Sequence, residues 1–251
     1  MSADTPGAAP AERVAVVTHA TRYAGPGSVD ALRKAGYTVL CHDESFLDET
    51  ARAAFEDGRD GAVACAARTA PGAVGQAVKR YGRLDLVVSN DVHPARYLPV
   101  DQADPAELRR AAEALLVTPA TVIAKAAAHM KRRGSGHIVV LTSAAPLRPE
   151  TGFSVYSSLR AGASTYARAA ARELAPYGVT VHAIAPNFLR SETYYPPEQW
   201  ETDEGREKLR GLLPAGRLGT AEEIGDLVVF LGSGSADFLT GDVIHFTGGW
   251  A

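Results

Sequence analysis

Short apolar runs rich in valine and isoleucine alternate along the chain with longer stretches rich in alanine. The runs predict strands at Arg13–Thr18, Tyr37–Cys41, Val63–Cys65, Leu84–Ser89, Gly136–Thr142, Thr180–Ile184 and Val243–Phe246. The longer stretches predict helices at Ser28–Ala35, Ala51–Glu56, Ala73–Tyr81, Pro105–Arg132 (interrupted at Pro119), Gly152–Pro176 and Glu222–Leu231. Repeated strand–helix units predict an α/β fold, a Rossmann-like doubly wound parallel sheet of about seven strands with helices on both faces.

The pattern contains no internal repeat and no linker, so residues 12–251 are predicted to form a single Rossmann-like domain. Residues 1–11 are rich in alanine, proline and glycine, which predicts a disordered leader. Phe188–Arg217 breaks the alternation and carries tyrosines, prolines and a tryptophan, which indicates a lid. In a sheet of this kind ligands bind beyond the carboxyl ends of the strands, so we expect the functional site at that edge.

Composition excludes several classes of function. The 251 residues are 46% hydrophobic and 22% charged, and the net charge is −3. This balance gives no electrostatic reason to expect a nucleic acid or an anionic membrane as a partner. No segment is expected to reach the roughly 18–20 apolar residues that span a bilayer. The seven histidines do not pair at metal-ligand spacing, so no metal site is expected. Cys41 and Cys65 are interpreted as buried free thiols in a cytoplasmic protein.

The loop after the first strand lacks glycines that a bound dinucleotide needs. Such a loop uses one glycine for a tight turn and another to bring the backbone close to the pyrophosphate. Here the segment from His19 to Gly27 has its only glycines at positions 25 and 27. The loop therefore predicts that no nucleotide cofactor is bound, and the alternative is a shifted loop that holds NADP through Gly25 and Gly27. Asp43 and Glu44 follow the second strand, where an acid would bind a ribose, and are interpreted as a relic or a structural turn.

A serine, a tyrosine and an arginine have the spacing of a catalytic set. Ser143 follows the fifth predicted strand, and Tyr156 and Arg160 are four residues apart on the next helix, which places them on one helical face. A phenol is a weak base at neutral pH, but a neighbouring guanidinium that stays charged favours the phenolate form. The serine hydroxyl can then orient a substrate oxygen while the tyrosine takes its proton.

These motifs resemble the short-chain dehydrogenase/reductase superfamily, which uses Y-x-x-x-K after a T-G-x-x-x-G-x-G loop. Here the first motif ends in arginine, as Tyr156-Ser157-Ser158-Leu159-Arg160, and His19 and Tyr23 stand at the first two glycine positions. Y-x-x-x-R with a degenerate glycine loop is similar to the halohydrin dehalogenases, an offshoot of that superfamily. The other matching segments are Cys41–Phe46, Val88–Asp91, Ser135–Ile138, Arg160–Ala163, Pro186–Leu189, Leu231–Ser235, Leu239–Gly241 and Gly248–Gly249.

The resemblance implies cofactor-independent conversion of vicinal haloalcohols to epoxides, with release of halide and a proton. It also implies the reverse opening of epoxides by halide, azide, cyanide or nitrite. Ser143 would bind the substrate hydroxyl, Tyr156 would deprotonate it, and Arg160 would tune the tyrosine. Asp91 would connect the arginine to solvent as a proton relay, with a structural hydrogen bond as the alternative. The halide would lie among Tyr23, Pro186, Asn187, Phe188, Leu189 and Tyr195, and the substrate pocket would include Pro94, Ala145 and Trp200.

The chain departs from the family pattern at two places. Glu150 stands where some members carry a tryptophan, and the sequence ends at Ala251 without the longer tail of some members. Both differences bear on substrate range and enantiopreference. By resemblance, the alanine-rich helices Pro105–Arg132 and Gly152–Pro176 would build a four-helix dimer face within a homotetramer, a dimer of dimers. The competing hypotheses are an NAD(P)-dependent oxidoreductase with an atypical loop and a catalytically silent scaffold or anion-binding subunit.

Overall fold

The computed structural model describes residues 13–251, so the leader expected at 1–11 lies outside the described residues. The strands are β1 (Arg13–Val17), β2 (Tyr37–His42), β3 (Ala62–Cys65), β4 (Leu86–Ser89), β5 (Gly136–Leu141), β6 (Val179–Pro186) and β7 (Val243–Phe246). The helices are α1 (Gly25–Lys34), α2 (Glu49–Glu56), α3 (Ala70–Tyr81), α4 (Pro105–Ala112), α5 (Thr118–Arg133), α6 (Ser154–Leu174), α7 (Pro197–Trp200), α8 (Asp203–Leu212) and α9 (Ala221–Leu231).

The strands form one parallel sheet in the order β3-β2-β1-β4-β5-β6-β7. Two buried apolar clusters cover it, one on each face, and the central strands contribute alternate side chains to both. The chain order reverses between β1 and β4, which opens a crevice at the carboxyl ends of these strands. The predicted doubly wound parallel sheet is confirmed, and this crevice is where the candidate site lies.

Most predicted elements are present, and their bounds differ by a few residues. Helix α1 begins at Gly25 rather than Ser28, because Pro26 lies in the first turn, where its missing N–H and fixed φ fit a helix. Strand β6 continues to Pro186 rather than ending at Ile184, since Pro186 still pairs with Phe246 of β7. The expected lid at Phe188–Arg217 is not wholly irregular, because it contains α7 and α8.

The helix expected at Pro105–Arg132 runs on past Pro119 without a break. A five-residue π-helical segment, Glu113–Val117, joins α4 to α5, and Pro119 then lies in the first turn of α5. A proline cannot donate to the preceding turn, and a locally widened turn accommodates it. The helix is therefore not interrupted at Pro119 as predicted. Its pitch changes instead, in the π-helical segment that precedes the proline.

This continuous helix corrects the expectation that no segment is long enough to span a membrane. Pro105–Arg133 has 29 residues and a mean hydropathy of 1.4 over its best 18-residue window. A core helix can pass the same test of length and composition. In this case one face of α5 packs on the sheet through the buried residues Val122, Ile123, Ala126 and Met130.

Helices α1 and α9 cross at close range because glycines line the contact. A Cβ added to Gly27 would lie 2.0 Å from the carbonyl oxygen of Ala221, and one added to Gly225 would lie 2.3 Å from the carbonyl oxygen of Gly27. A Cβ on Gly25 would meet the carbonyl oxygen of His19 at 2.6 Å. Gly25 and Gly27 thus serve backbone packing, which removes the main support for the alternative in which they hold NADP.

We expect Gly225→Ala to destabilise the fold by at least about 1–3 kcal/mol, because overpacking a close helix contact forces the backbones apart. The measurement is the free energy of unfolding from urea titration. Gly211→Ala in α8 is the matched control, since no atom lies within 4 Å of its added Cβ. That control should be neutral or stabilising by up to about 1 kcal/mol through helix propensity. Equal stability of the two variants would contradict this account of the α1–α9 crossing.

Candidate active site

A cavity of about 290 Å³ opens at the carboxyl edge of the sheet, where the loops after β1, β4, β5 and β6 meet. Its wall contains polar and aromatic side chains that are far apart in sequence. The lining residues are Tyr23, Pro94, Ala95, Ser143, Ala145, Arg148, Glu150, Phe153, Tyr156, Ser157, Pro186, Asn187, Phe188, Thr193, Tyr194, Tyr195 and Trp250. Nine of the residues that the sequence analysis placed in the site line this cavity: Tyr23, Pro94, Ser143, Ala145, Tyr156, Pro186, Asn187, Phe188 and Tyr195.

The serine and tyrosine of the predicted catalytic set both face the cavity. Ser143 follows β5 and is held by the N–H of Ala145, which donates to its Oγ at 3.1 Å. Tyr156 lies in the first turn of α6 and is half-buried. The two side chains therefore reach the cavity from a loop and a helix that pack against each other. A hydroxyl group bound there can contact both a hydrogen-bond donor and a phenol.

Arg160 lies one helical turn beyond Tyr156 and is the largest fully buried side chain among residues 13–251. Its guanidinium donates to the carbonyl oxygen of Leu141 at 3.0 Å and to that of Asp91 at 3.1 Å. The guanidinium carbon is 5.3 Å from the centre of the Tyr156 ring. Burial alone would lower the pKa of Arg160, but the phenol oxygens of Tyr156 and Tyr194 oppose this and raise it overall. The site therefore holds a permanent positive charge beside Tyr156.

Tyr194 is a member of this cluster that the sequence analysis did not single out. Its hydroxyl donates to the carbonyl oxygen of His93 at 2.8 Å and accepts from Arg160 at 3.4 Å. Its ring packs at 5.3 Å from Tyr23 and 6.1 Å from Tyr156. Burial raises the pKa of Tyr23, Tyr194 and Tyr195 above the ordinary value, so these phenols stay neutral donors at physiological pH.

The loop after β1 keeps the backbone shape of a glycine-rich loop but carries side chains. His19 and Tyr23, at the first two glycine positions, have φ of 47° and 53°. This left-handed region favours glycine and costs other residues roughly 1–2 kcal/mol. The Tyr23 ring points into the cavity and packs on Tyr194. At these two positions a bound dinucleotide needs glycines for the tight turn and for close approach of the backbone to its phosphates, and here side chains occupy that space.

A third left-handed residue follows β6. Phe188 has φ of 55°, and its N–H donates to the side-chain oxygen of Asn187 at 3.1 Å. The hydroxyl of Tyr195 donates to the same oxygen at 2.8 Å. Two donors thus converge on one position at the cavity wall, which is the arrangement that an anion site needs. The N–H of Asn187 pairs instead with Phe246 of β7, so this residue contributes its side chain and not its N–H.

Two residues predicted in the site lie behind its wall. Leu189 is almost fully buried in the apolar cluster under the sheet edge and does not line the cavity. Trp200 packs against Phe188 and Tyr195, with ring centres 6.4 Å and 5.4 Å apart, and likewise lies outside the lining. The sequence placed Trp200 in the right cluster but could not give its depth, because aromatic residues in a lid serve equally as lining and as support.

The outer part of the cavity contains residues that the sequence analysis did not assign to it. Trp250 packs edge-on against Phe188 at 6.0 Å, and the guanidinium carbon of Arg148 lies 5.3 Å from a Trp250 ring. Glu150, noted as a departure from the family pattern, lines the same region. The sequence does contain an indication of this role for Trp250. It directly follows Gly248 and Gly249, a pattern that predicts a turn whose aromatic side chain packs on the protein.

Asp91 lies beneath the cavity and not in its lining. Its carboxylate is 1% exposed, accepts a 2.5 Å hydrogen bond from the Ser89 hydroxyl and faces His19 Nδ1 at 3.5 Å. Burial raises the pKa of Asp91 above the ordinary value, and the nearby His19 opposes the shift. Arg160 reaches the backbone carbonyl of this residue and not its carboxylate. Within the described ranges, no group of three or more potential ligands could hold a metal ion.

The chain is similar both to reductases and to solved halohydrin dehalogenases. A family model described as enoyl-(acyl carrier protein) reductase matches residues 24–251. A solved dehalogenation enzyme has a TM-score of 0.91 and 36% identity, over 96% of this chain and 98% of its own. A halohydrin dehalogenase bound to ethyl (2S)-oxiran-2-ylacetate has a TM-score of 0.91 and 39% identity, over 94% and 96%. A short-chain reductase of Streptomyces niveus is 30% identical, over 95% of this chain and 94% of its own length. The resemblance to halohydrin dehalogenases is confirmed.

We expect Asp91→Asn to be more stable than the parent at neutral pH. Because the folded protein binds the Asp91 proton more tightly than the unfolded chain does, parent stability falls as pH rises toward the raised pKa. The advantage of the variant should therefore shrink as the pH is lowered. The measurement is the free energy of unfolding of the parent and the variant at pH values from about 4 to about 8.

Asp85→Asn is the control with the opposite sign. Burial would raise the pKa of Asp85, but hydrogen bonds from Arg83, the Val14 N–H and Arg133 lower it overall. This variant should be less stable than the parent at neutral pH, and the gap should close as the pH falls. If Asp91→Asn instead lost stability with the same pH trend as Asp85→Asn, the buried Asp91 carboxylate would be a stabilising group.

Proposed function

The chain belongs to the short-chain dehydrogenase/reductase family, and within it we propose that this protein is a halohydrin dehalogenase, a lyase that works without a nucleotide. The observation that carries the proposal is one cavity lined by Ser143 and Tyr156, with the buried Arg160 guanidinium 5.3 Å from the Tyr156 ring and the Tyr23 ring in the wall beside the loop after β1. A family member that keeps the proton-abstracting set but cannot hold a hydride carrier retains acid–base chemistry and loses redox chemistry. Elimination of a halide from a vicinal haloalcohol requires only the former.

The first step is removal of a proton from the substrate hydroxyl. Ser143 Oγ donates a hydrogen bond to the substrate oxygen, and the Tyr156 phenolate accepts its proton. The charge of Arg160, 5.3 Å from the Tyr156 ring, stabilises the negative charge on the tyrosine before transfer. The alkoxide so formed attacks the neighbouring carbon from behind, the carbon–halogen bond breaks with its electron pair, and an epoxide and a halide result.

The leaving halide goes to the wall formed by Tyr23, Pro186, Asn187, Phe188 and Tyr195. The Phe188 N–H and the Tyr195 hydroxyl, which converge on the Asn187 side-chain oxygen, supply the donors once that oxygen turns aside. Donors aimed at developing negative charge lower the barrier to its formation. The same donors admit azide, cyanide or nitrite in the reverse direction, in which the anion opens an epoxide and Tyr156 returns the proton.

The assembly proposed with this function is a homotetramer, a dimer of dimers built on the long helices. Leu108 and Val117 on the α4–α5 run and Tyr166 on α6 support it, since these large apolar side chains are exposed on the isolated chain. The partners are small haloalcohols, epoxides and anions. Sequence relatives that are reductases make an NAD(P)-dependent oxidoreductase the second candidate, and the His19 and Tyr23 side chains speak against it.

The test of this function is release of bromide from a simple vicinal bromo-alcohol in buffer without nucleotide. Bromide and protons should appear in equal amounts, and added NADPH should not change the rate. Reverse reaction of the epoxide with azide should consume protons. An absence of bromide release together with saturable NADPH binding would establish the oxidoreductase instead.

Tyr156→Phe removes the base and should lower bromide release by about 10²–10⁴-fold, the contribution typical of general acid–base catalysis. The fold should persist, because the aromatic ring is kept and Tyr156 lines the cavity. Tyr177→Phe is the matched control, since it loses the same atom from an exposed tyrosine just past the end of the same helix, and its rate should equal the parent's. Near-parental turnover by Tyr156→Phe would refute the assignment of Tyr156 as the base.

A further inference from the structure

Three residues other than glycine have a left-handed backbone among residues 13–251: His19, Tyr23 and Phe188. Strain of this kind persists where the surrounding structure enforces it, and it is concentrated at functional sites. Tyr23 and Phe188 line the cavity, so a role in shaping the cavity wall accounts for their strained backbone. His19 does not line it, so its strained backbone and its side chain need another explanation.

The His19 ring lies between the buried Asp91 carboxylate and solvent. Its Nδ1 is 3.5 Å from Asp91 Oδ1, and its side chain is 16% exposed against 1% for Asp91. The amide of Asn90 donates to the carbonyl oxygen of His19 at 3.0 Å, which fixes the backbone that holds the ring in place. The ring is thus held against Asp91 with one part open to water.

On its inner side, Asp91 adjoins the catalytic set. Arg160 donates to the backbone carbonyl of Asp91 and lies 5.3 Å from the Tyr156 ring, so one guanidinium neighbours both residues, and its charge acts on the Asp91 carboxylate. Arg160 Nε, Asp91 Oδ1 and His19 Nδ1 are buried and have no hydrogen-bond partner among the described residues. Buried polar atoms are normally satisfied, by ordered water where no protein group serves. Three such atoms on neighbouring residues leave room for water-mediated hydrogen bonds between Tyr156 and the partly exposed His19 ring.

We propose that His19 is the outlet of a proton relay that runs from Tyr156 past Arg160 to Asp91 and then to solvent. The proposal rests on the proposed dehalogenase function, which delivers one proton to Tyr156 per turnover. The Tyr156 phenol gives this proton through water beside Arg160 to the Asp91 carboxylate, which becomes a carboxylic acid. Asp91 passes it to the His19 imidazole, and the imidazolium so formed releases it to bulk water. Tyr156 is left as the phenolate, and epoxide opening runs the path in reverse.

The other titratable groups around the path do not carry the proton. His42 packs edge-on against His19 at 5.4 Å, and burial followed by the nearby His19 lowers the pKa of His42 to about 4, so it stays neutral. Asp43 is held by Thr21 and Ser45, and these hydrogen bonds outweigh its burial and keep its pKa low. Tyr23 and Tyr194, which face Arg160, stay protonated because burial raises their pKa.

The test compares His19→Asn and His19→Gly with the parent. Both residues tolerate the left-handed backbone at this position, asparagine through its short polar side chain and glycine through its lack of Cβ. Neither can take up a proton, so kcat for bromide release should fall about tenfold, within the range of a lost general acid–base step, while KM is unchanged. Imidazole added at increasing concentration should restore kcat in both variants, because it enters the space of the lost ring and replaces its function. His245→Asn, at an exposed histidine outside the path, is the control and should match the parent.

A purely structural role for His19 predicts different results. In that case His19→Gly, which relieves the strained backbone, would keep the parental kcat, and added imidazole would change nothing. Parental kcat in both His19 variants, with no response to imidazole, would overturn the relay while leaving the dehalogenase function intact. Failure of the parent itself to release bromide would overturn the dehalogenase function and the relay with it.

Discussion

The site depends on one buried charge. Arg160 is held inside the protein without a carboxylate at ion-pair distance among residues 13–251. An unpaired buried charge is costly, and its donors must be satisfied by well-placed oxygens. Here they are the carbonyl oxygens of Leu141 and Asp91 and the hydroxyl of Tyr194. These acceptors come from the ends of β5 and β4 and from the lid, so one guanidinium fixes three loops around Tyr156.

The loop after β1 combines a backbone suited to glycine with two large side chains. His19 and Tyr23 both have the left-handed φ that glycine adopts without strain, and their side chains occupy space that glycines would leave open. Tyr23 closes the cavity beside Tyr194, and His19 closes the polar region above Asp91. The two glycines of the same segment that pack against backbone, Gly25 and Gly27, lie outside these positions, so the side chains of His19 and Tyr23 do not disturb the α1–α9 crossing.

The sequence was sufficient to predict the sheet and the proximity of Ser143, Tyr156 and Arg160, since both depend on local pattern and spacing. Ser143, Tyr156 and Arg160 were found because a strand end and a helical turn place them together. Tyr194 and Trp250 were missed because their positions depend on how the lid and the last turn fold back, which no local spacing encodes. Trp200 was expected in the pocket lining but lies behind Phe188 and Tyr195, for the same reason. The burial of Leu189 likewise depends on a long-range contact, its backbone pairing with Gly219.

The features that local rules disfavour are concentrated around one cavity: three left-handed residues with side chains, a buried guanidinium without a carboxylate partner, and a buried carboxylate whose pKa is raised. Each of them costs stability, whereas α3 and α9 are capped by Thr69 and Thr220 and the central strands are apolar. Proteins accept such costs mainly where function requires them. Two of the three left-handed residues already have a function in the proposed reaction, as parts of the cavity wall. His19 shares the strain but not the cavity, and its Nδ1 faces the buried carboxylate of Asp91, so that contact best explains the cost of its conformation.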